Sequence, residues 1–328
     1  MAQGAAIFGC EGLELTPREA AFFREANPWG FILFARNIDN PQQITRLTSS
    51  LRDAVGRDAP ILIDQEGGRV QRMRAPHWRE WLPPLEQLTA AGDLGTRALW
   101  LRYRIIAEEL RAVGIDVNCA PTCDIAGPLT HPFLQNRCFG TTPAAVTEAA
   151  RASAEGLLAG GVLPIIKHIP GHGRATADSH KNLPVVEATH AELSATDFAP
   201  FKALADLPMG MTAHIRFTAL DDAPATQSAR MIGLIRDEIG FDGLLMTDDI
   251  SMEALSGDLT SRTRASLAAG CDLVLHCNGE LPEMEAIAAE AGQMGLAAQI
   301  RADRALALRK SPETIDIAAL EAELGACR

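Results

Sequence analysis

The chain has no apolar run that approaches the length of a membrane span. Its first residues, Met1 to Cys10, show no basic segment followed by a long apolar core. Neither a spanning helix nor a secretory signal is expected. Positive charge is scarce: 30 Lys and Arg stand against 42 Asp and Glu, for a net charge of −12. That balance argues against nucleic acid or an anionic membrane as a partner. The seven cysteines are odd in number, scattered, and include no CxxC pair. They read as reduced thiols of a cytoplasmic protein, and Cys119 and Cys123 lack the second pair that a structural metal site would need. Gly- or Ser-rich linkers, low-complexity stretches and obvious repeats are missing too. Residues 1–328 therefore read as one domain. A GxGxxG fingerprint in an early strand–helix turn is also absent. The nearest match, Gly171-His172-Gly173, lies mid-chain without its third glycine, which sets aside a doubly wound dinucleotide-binding sheet.

What is present is apolar and periodic. Hydrophobic residues make up 47% of the chain, ample for a large core. Short apolar strands are expected at Ala5–Cys10, Phe31–Phe34, Ile61–Ile63, Ile115–Cys119, Val162–Ile166, Met209–Thr212, Leu244–Thr247 and Leu273–His276. Helices fall between most of them. Thr16-Pro17-Arg18-Glu19 and Thr189-His190-Ala191-Glu192 have capping-box spacing. Asn40-Pro41 and Thr142-Pro143 set proline just after a capping residue. Gly160-Gly161 and Gly240 fall where helices end. Residues 67–94, with Pro76, Pro83 and Pro84, read as an extended loop, and 279–293 and 296–309 as helices after the last strand. Strand–helix alternation implies a parallel sheet. Eight such units match a (β/α)8 TIM-type barrel of the α/β class, whose usual size is roughly 250 residues.

The test of such a barrel is whether polar residues gather where its strands end. Asp64 follows the third strand, and Asn118 and Asp124 the fourth, with Arg137 further on. Lys167 and His168 follow the fifth strand, in the loop Lys167-His168-Ile169-Pro170-Gly171-His172-Gly173 that continues to Asp178-Ser179-His180. His214 follows the sixth strand, and Asp248 and Asp249 the seventh. Asp178-x-His180 has the form of an acid/base unit in which a carboxylate orients an imidazole.

Each residue also has a plainer reading. Lys167 and His168 can be a satisfied polar pair beneath a loop, and His172 can serve the loop backbone. Asp124 reads best as an Asx-turn residue. His214 can be structural. One of Arg69 and Arg72 can be merely solvated. Asp249 can be a helix-start carboxylate. Three chemistries compete for the set. Metal-assisted hydrolysis would use His168, His172, His180 and Asp248, although the His-x3-His spacing sits in a glycine-rich loop rather than a helix. Phosphate binding would use the same loop with Lys167. Glycoside cleavage would use Asp248 at the anomeric carbon and His180 as proton donor, with Asp64 and the arginines on sugar hydroxyls. The residues alone leave all three open, with the last only slightly ahead.

Four blocks of sequence resemble glycoside hydrolase family 3, in particular its single-domain bacterial β-N-acetylhexosaminidases of peptidoglycan recycling. They are Ile63-Asp64-Gln65-Glu66-Gly67-Gly68-Arg69-Val70-Gln71-Arg72; Arg137-Cys138-Phe139-Gly140; Lys167 to Gly173 with Asp178-Ser179-His180; and Met246-Thr247-Asp248-Asp249-Ile250-Ser251-Met252. The resemblance implies a retaining enzyme without cofactor or metal. Asp248 would form a glycosyl-enzyme, and His180, polarised by Asp178, would be the acid/base. Asp64, Arg72, Arg137, Lys167 and His168, with His214 at the rim, would hold N-acetylglucosamine. The expected substrates are N-acetylglucosaminyl-1,6-anhydromuramoyl peptides or related N-acetylglucosaminides, met in the cytoplasm by a monomer. Cys138 stands where the family often has serine, Ile169 where phenylalanine is usual, and Arg174-Ala175 where an acidic residue is common. Arg174 is a candidate for stabilising the loop or for meeting an anionic peptide stem. The second domain of the plant-type glucosidases is not expected. Because a deprotonated histidine does not repel phosphate, phosphorolysis at the same site is the alternative outcome, and a metal-dependent barrel hydrolase the other.

Overall fold

The computed structural model describes residues 3–176, 182–312 and 314–327. Among them, eight parallel strands close into a barrel whose spatial order follows the chain. They are β1 (Gly4–Phe8), β2 (Pro28–Leu33), β3 (Ile61–Ile63), β4 (Val117–Asn118), β5 (Leu163–Ile169), β6 (Met209–Thr212), β7 (Leu244–Asp249) and β8 (Leu273–His276). Phe8 lies opposite both Phe31 of β2 and His276 of β8, so β1 is the seam that closes the ring. The (β/α)8 architecture expected from the strand–helix rhythm is the one observed. No helix among the described residues is long and apolar enough to cross a membrane.

Alternation along the strands builds two apolar layers. Ala5 and Ile7, Leu163 and Ile165, and Met209 and Met211 belong to one buried cluster, the barrel interior. Ala6 and Phe8, Ile166, and Val274 belong to the larger cluster between barrel and helices. Successive side chains on a strand point to opposite faces, so one strand feeds both layers. The helix Leu296–Leu306 closes the lower mouth: Met294, Ala298, Ala302 and Ala305 pack on the interior cluster. Arg309, just beyond it, reaches Asp116 at 2.5 Å, and Arg52 reaches the same carboxylate at 3.1 Å.

The helix starts obey local chemistry. Thr16 and Thr189 form capping boxes with Glu19 and Glu192, and Asn40 and Thr142 cap helices that open on Pro41 and Pro143. Gly240 has φ of 77° where a helix ends.

Two expectations need correction, and one helix is added. β5 does not stop at Ile166 but runs through Lys167 and His168 to Ile169. The neighbouring backbone sustains it: Lys167 N–H donates to Pro121 O at 3.2 Å, and Cys123 N–H donates to Lys167 O at 2.6 Å. The stretch 67–94 is not simply extended. Gln65–Gly67 and Val70–Gln71 form a hairpin, and Pro84–Ala91 is helical with proline at its start. A helix at Ile317–Ala326, which the apolar pattern did not announce, packs near Arg97 through Glu323.

Candidate active site

The hairpin sets the first part of the site. Gln65 N–H donates to the Asn118 amide oxygen at 3.0 Å, and the Asn118 amide donates back to Gln65 O at 3.1 Å. Asn118 at the end of β4 thus holds the hairpin to the barrel. Gly67 and Gly68 turn it with φ of 109° and 60°, a region that side chains other than glycine rarely adopt. The turn carries Glu66, Arg69 and Arg72 on a fixed base.

An ion-pair cluster follows. The buried Lys167 ammonium donates to Asp64 at 2.9 Å and lies 2.6 Å from Glu66. Arg137 grips Glu66 through two bonds, 3.0 and 2.8 Å. Arg72 donates to the other oxygen of Asp64 at 2.9 Å. Burial would push the Asp64 carboxyl up, but Lys167 and Arg72 more than offset it and hold it well below the carboxylate range. Burial likewise opposes the charge of Glu66, and Arg137 and Lys167 draw its pKa down to about 2. The Lys167 ammonium is held by Asp64 and Glu66 against the opposing effect of its own burial. Charges so buried persist only when paired, and here each has a partner.

Histidines and carboxylates of β5 to β7 form the second part. His168 Nδ1 lies 2.8 Å from Asp124 Oδ2, while Asp124 Oδ1 accepts from His172 N–H at 2.6 Å and His168 N–H at 3.3 Å. Asp124 is therefore no surface Asx turn: it is fully buried and ties the end of β5 to the loop after β4. The His172 ring stands 5.6 Å from that of His168, and both its nitrogens are buried without a partner among the described residues. Burial first, and the field of His168 second, depress its pKa to about 4. Asp248, next to last in β7, lines the cavity. Its Oδ1 accepts from Asp249 N–H at 2.8 Å. Burial resists ionisation of Asp248, yet His168, His214 and the Asp249 N–H together lower its pKa.

Asp249 is occupied by its own turn: it accepts from Ser251 N–H and O–H at 3.1 and 2.7 Å and from Cys277 N–H at 3.3 Å. It does not open a helix.

A cavity of about 240 Å³ joins these groups. Asp64, Arg72, Arg137, Lys167, His168 and Asp248 all line it. Arg72 lies over the Phe34 ring at 5.2 Å and Arg69 over Phe133 at 3.5 Å, so aromatic rings flank the mouth. His214 does not line the cavity. It is buried behind Asp248, its Nε2 donating to Asp249 O at 3.0 Å and its Nδ1 2.8 Å from the Thr226 hydroxyl. The first of these bonds ties it to the end of β7. Arg174 is paired with Asp197 at 2.7 Å and Thr196 at 3.1 Å. Cys138 sits in a small apolar cluster with Ala126 and Leu134, and Ile169 in the outer core. Asp178 and His180 lie outside the described residues. No group of three or more His, Cys, Asp or Glu arranged for a metal occurs among the described residues.

Glu66, to which sequence pattern assigns no role, is the hub of the cluster. The signal was present: a second acidic residue two positions after Asp64, next to a glycine turn. Phe34 and Cys277, which also line the cavity, carried no signal, because apolar residues and lone thiols at strand ends are common in any barrel.

Fold and site together define a (β/α)8 barrel enzyme whose upper mouth holds a polar cavity of interlocked carboxylates and cations, the surroundings that a hydroxyl-rich ligand needs. The family model for the glycosyl hydrolase family 3 N-terminal domain matches residues 18–306, and the chain belongs to that family of glycoside hydrolases. A β-hexosaminidase of Bordetella avium is 38% identical over 288 residues, covering 84% of this chain and 81% of the relative. One of Methylococcus capsulatus is 38% identical over 291 residues, covering 87% and 85%. NagZ of Neisseria gonorrhoeae, solved with N-trifluoroacetyl-D-glucosamine, superposes with a TM-score of 0.89 at 28% identity, covering 100% of this chain and 98% of that one.

Proposed function

We propose that this glycoside hydrolase is a retaining exo-β-N-acetylglucosaminidase. It removes a terminal N-acetylglucosamine through a glycosyl-enzyme on Asp248, with His180 and Asp178 as the acid/base pair. The observation that carries the reading is the placement of Asp248: it lines the cavity with one oxygen steadied by the Asp249 amide, and His168 and His214 lower its pKa against its burial. A carboxylate nucleophile needs these conditions. Asp64, Arg72, Arg137, Lys167 and His168 hold the sugar hydroxyls, since their ion pairs fix donors and acceptors in place before a ligand arrives. The relatives named β-hexosaminidase support the choice of an N-acetylated sugar. We extend the reading to N-acetylglucosaminyl-1,6-anhydromuramoyl peptides in the cytoplasm as the physiological substrates.

The test is product analysis. Cleavage of an aryl β-N-acetylglucosaminide, followed at once by proton NMR, should show β-N-acetylglucosamine as the first sugar formed, and the rate should survive exhaustive chelation. Release of the α anomer first would overturn the covalent mechanism. Accumulation of N-acetylglucosamine 1-phosphate in phosphate buffer would make the enzyme a phosphorylase.

A further inference from the structure

Asp124 makes three contacts, and they are not equivalent. Its Oδ1 accepts two backbone N–H groups, from His172 at 2.6 Å and His168 at 3.3 Å, while its Oδ2 faces only the His168 ring, with Nδ1 at 2.8 Å. Burial alone would favour the neutral acid, but the His168 ring first, and then His172 through its ring and its N–H, draw the Asp124 pKa down. Asp124 is thus a carboxylate with no proton to give, and the proton between it and the ring resides on Nδ1. The ring lines the cavity, and Nε2 has no protein partner among the described residues.

We infer that Asp124 is a positioning residue for the glycosidase reaction: it fixes the His168 ring as the Nδ1–H tautomer and so presents Nε2 to the cavity as a hydrogen-bond acceptor for a sugar hydroxyl. The surroundings make an acceptor valuable. Lys167, Arg72 and Arg137 can only donate, and the carboxylates nearest them are engaged by those same cations. A sugar hydroxyl also has a proton to place, and an imidazole nitrogen held by a buried carboxylate supplies its acceptor at a fixed angle. The same oxygen pattern shows what a near-isosteric change would do. In Asp124→Asn the two backbone donors hold the amide oxygen at the Oδ1 position. The amide NH2 must then point at Nδ1. An NH2 group can only donate, so the ring proton would be driven to Nε2, and the acceptor facing the sugar would become a donor. The identity of the ligand rests on the proposed function, whereas the tautomer does not.

The experiment reads the tautomer directly. In protein labelled with ¹⁵N-histidine at pH 8, two-bond ¹H–¹⁵N correlations give the proton position of each ring, and His168 is assigned by its loss in His168→Gln. The wild type should show Nδ1–H, and Asp124→Asn should show Nε2–H with the circular dichroism spectrum retained. For an N-acetylglucosaminide, kcat/KM should fall roughly 10- to 100-fold, the range expected when an acceptor facing the ligand is turned into a donor. In a His168→Ala background the same Asp124→Asn change should cost about twofold or less, because its effect passes through the ring. An Nε2–H tautomer in the wild type would overturn the inference, and that measurement needs no variant to fold. An Asp124→Asn loss that persists undiminished without the ring would overturn it too, since Asp124 would then act only through its backbone contacts. Failure to cleave any N-acetylglucosaminide would instead strike the proposed function and leave the tautomer result standing.

Discussion

Asp248 and Asp249 are neighbours at one strand end, and they differ in what their oxygens already hold. Asp249 accepts from Ser251 and Cys277. Both line the cavity, but among the described residues Asp248 accepts only from the amide beside it. A group engaged by its own turn cannot approach an anomeric carbon without breaking that turn. Replacing Asp248 by Asn should therefore lower kcat on the order of 10⁴-fold or more, as removal of a nucleophile does elsewhere, and leave the fold intact. A 2-acetamido-5-fluoro glycoside should label the wild type at Asp248. Peptide mapping that places the label on Asp249 would make Asp249 the nucleophile instead.

His172 gives a second residue-scale test, this time of stability. Its folded pKa of about 4 lies below the ordinary histidine value of 6.5 because the ring is buried and stands near His168. Between those two values the unfolded chain binds the proton and the folded one does not. Stability rises with pH through that window, and the contribution, complete above 6.5, is lost as pH falls toward 4. His172→Phe removes a titrating ring whose nitrogens have no partner among the described residues. The variant should unfold within about 1 kcal/mol of the wild type at pH 7, and it should lose less stability than the wild type between pH 6.5 and 4. Urea midpoints at several pH values decide the matter: parallel curves would mean that His172 is not the titrating group.

At the scale of elements, periodicity and capping residues were enough to place the barrel strands and several helix starts, because both arise from local chemistry. The end of β5 was not legible in that way. Lys167 and His168 looked like loop residues because a charged pair breaks the apolar pattern, and only the convergence of Asp64, Glu66 and Asp124 from other strands makes strand geometry tolerable for them. The hairpin after β3 was missed for a related reason: its partner strand is two residues long and its register is held by Asn118 from β4. That dependence yields a prediction. A Cβ on Gly67 would meet the Arg102 guanidinium and lie 2.6 Å from Leu82 O, at a φ of 109° that alanine adopts poorly. Gly67→Ala should displace the hairpin that carries Glu66, Arg69 and Arg72. The expected result is a rise in KM of tenfold or more together with a lower thermal midpoint, the steric and conformational costs each being of order 1–3 kcal/mol. Unchanged KM in a folded variant would show that the hairpin can move without disturbing the sugar site.

For the whole molecule, the barrel separates its functions along its axis. The upper mouth holds the carboxylates and cations. The lower mouth is closed by the helix Leu296–Leu306, whose contacts with the interior cluster are Ala298, Ala302 and Ala305, preceded by Met294. Small residues recur there because the helix lies close against the barrel floor, and Ala302 is wholly buried. Chemistry at the ends of strands and stability at their beginnings is the general division in such barrels, and Ala302 lets it be measured. Ala302→Leu adds volume where no space exists, which typically costs about 1–3 kcal/mol. The chain should unfold at a lower denaturant concentration, with an unchanged slope. The cavity lies at the opposite mouth, and packed strands stand between it and Ala302, so kcat/KM for an aryl N-acetylglucosaminide at 25 °C should stay within about twofold of wild type, as additivity of distant sites requires. The two measurements must diverge. If kcat/KM fell in step with the midpoint while the protein remained fully folded, the floor of the barrel would be coupled to the site, and the mouth could not be treated as an independent scaffold for the Asp64, Glu66 and Lys167 cluster.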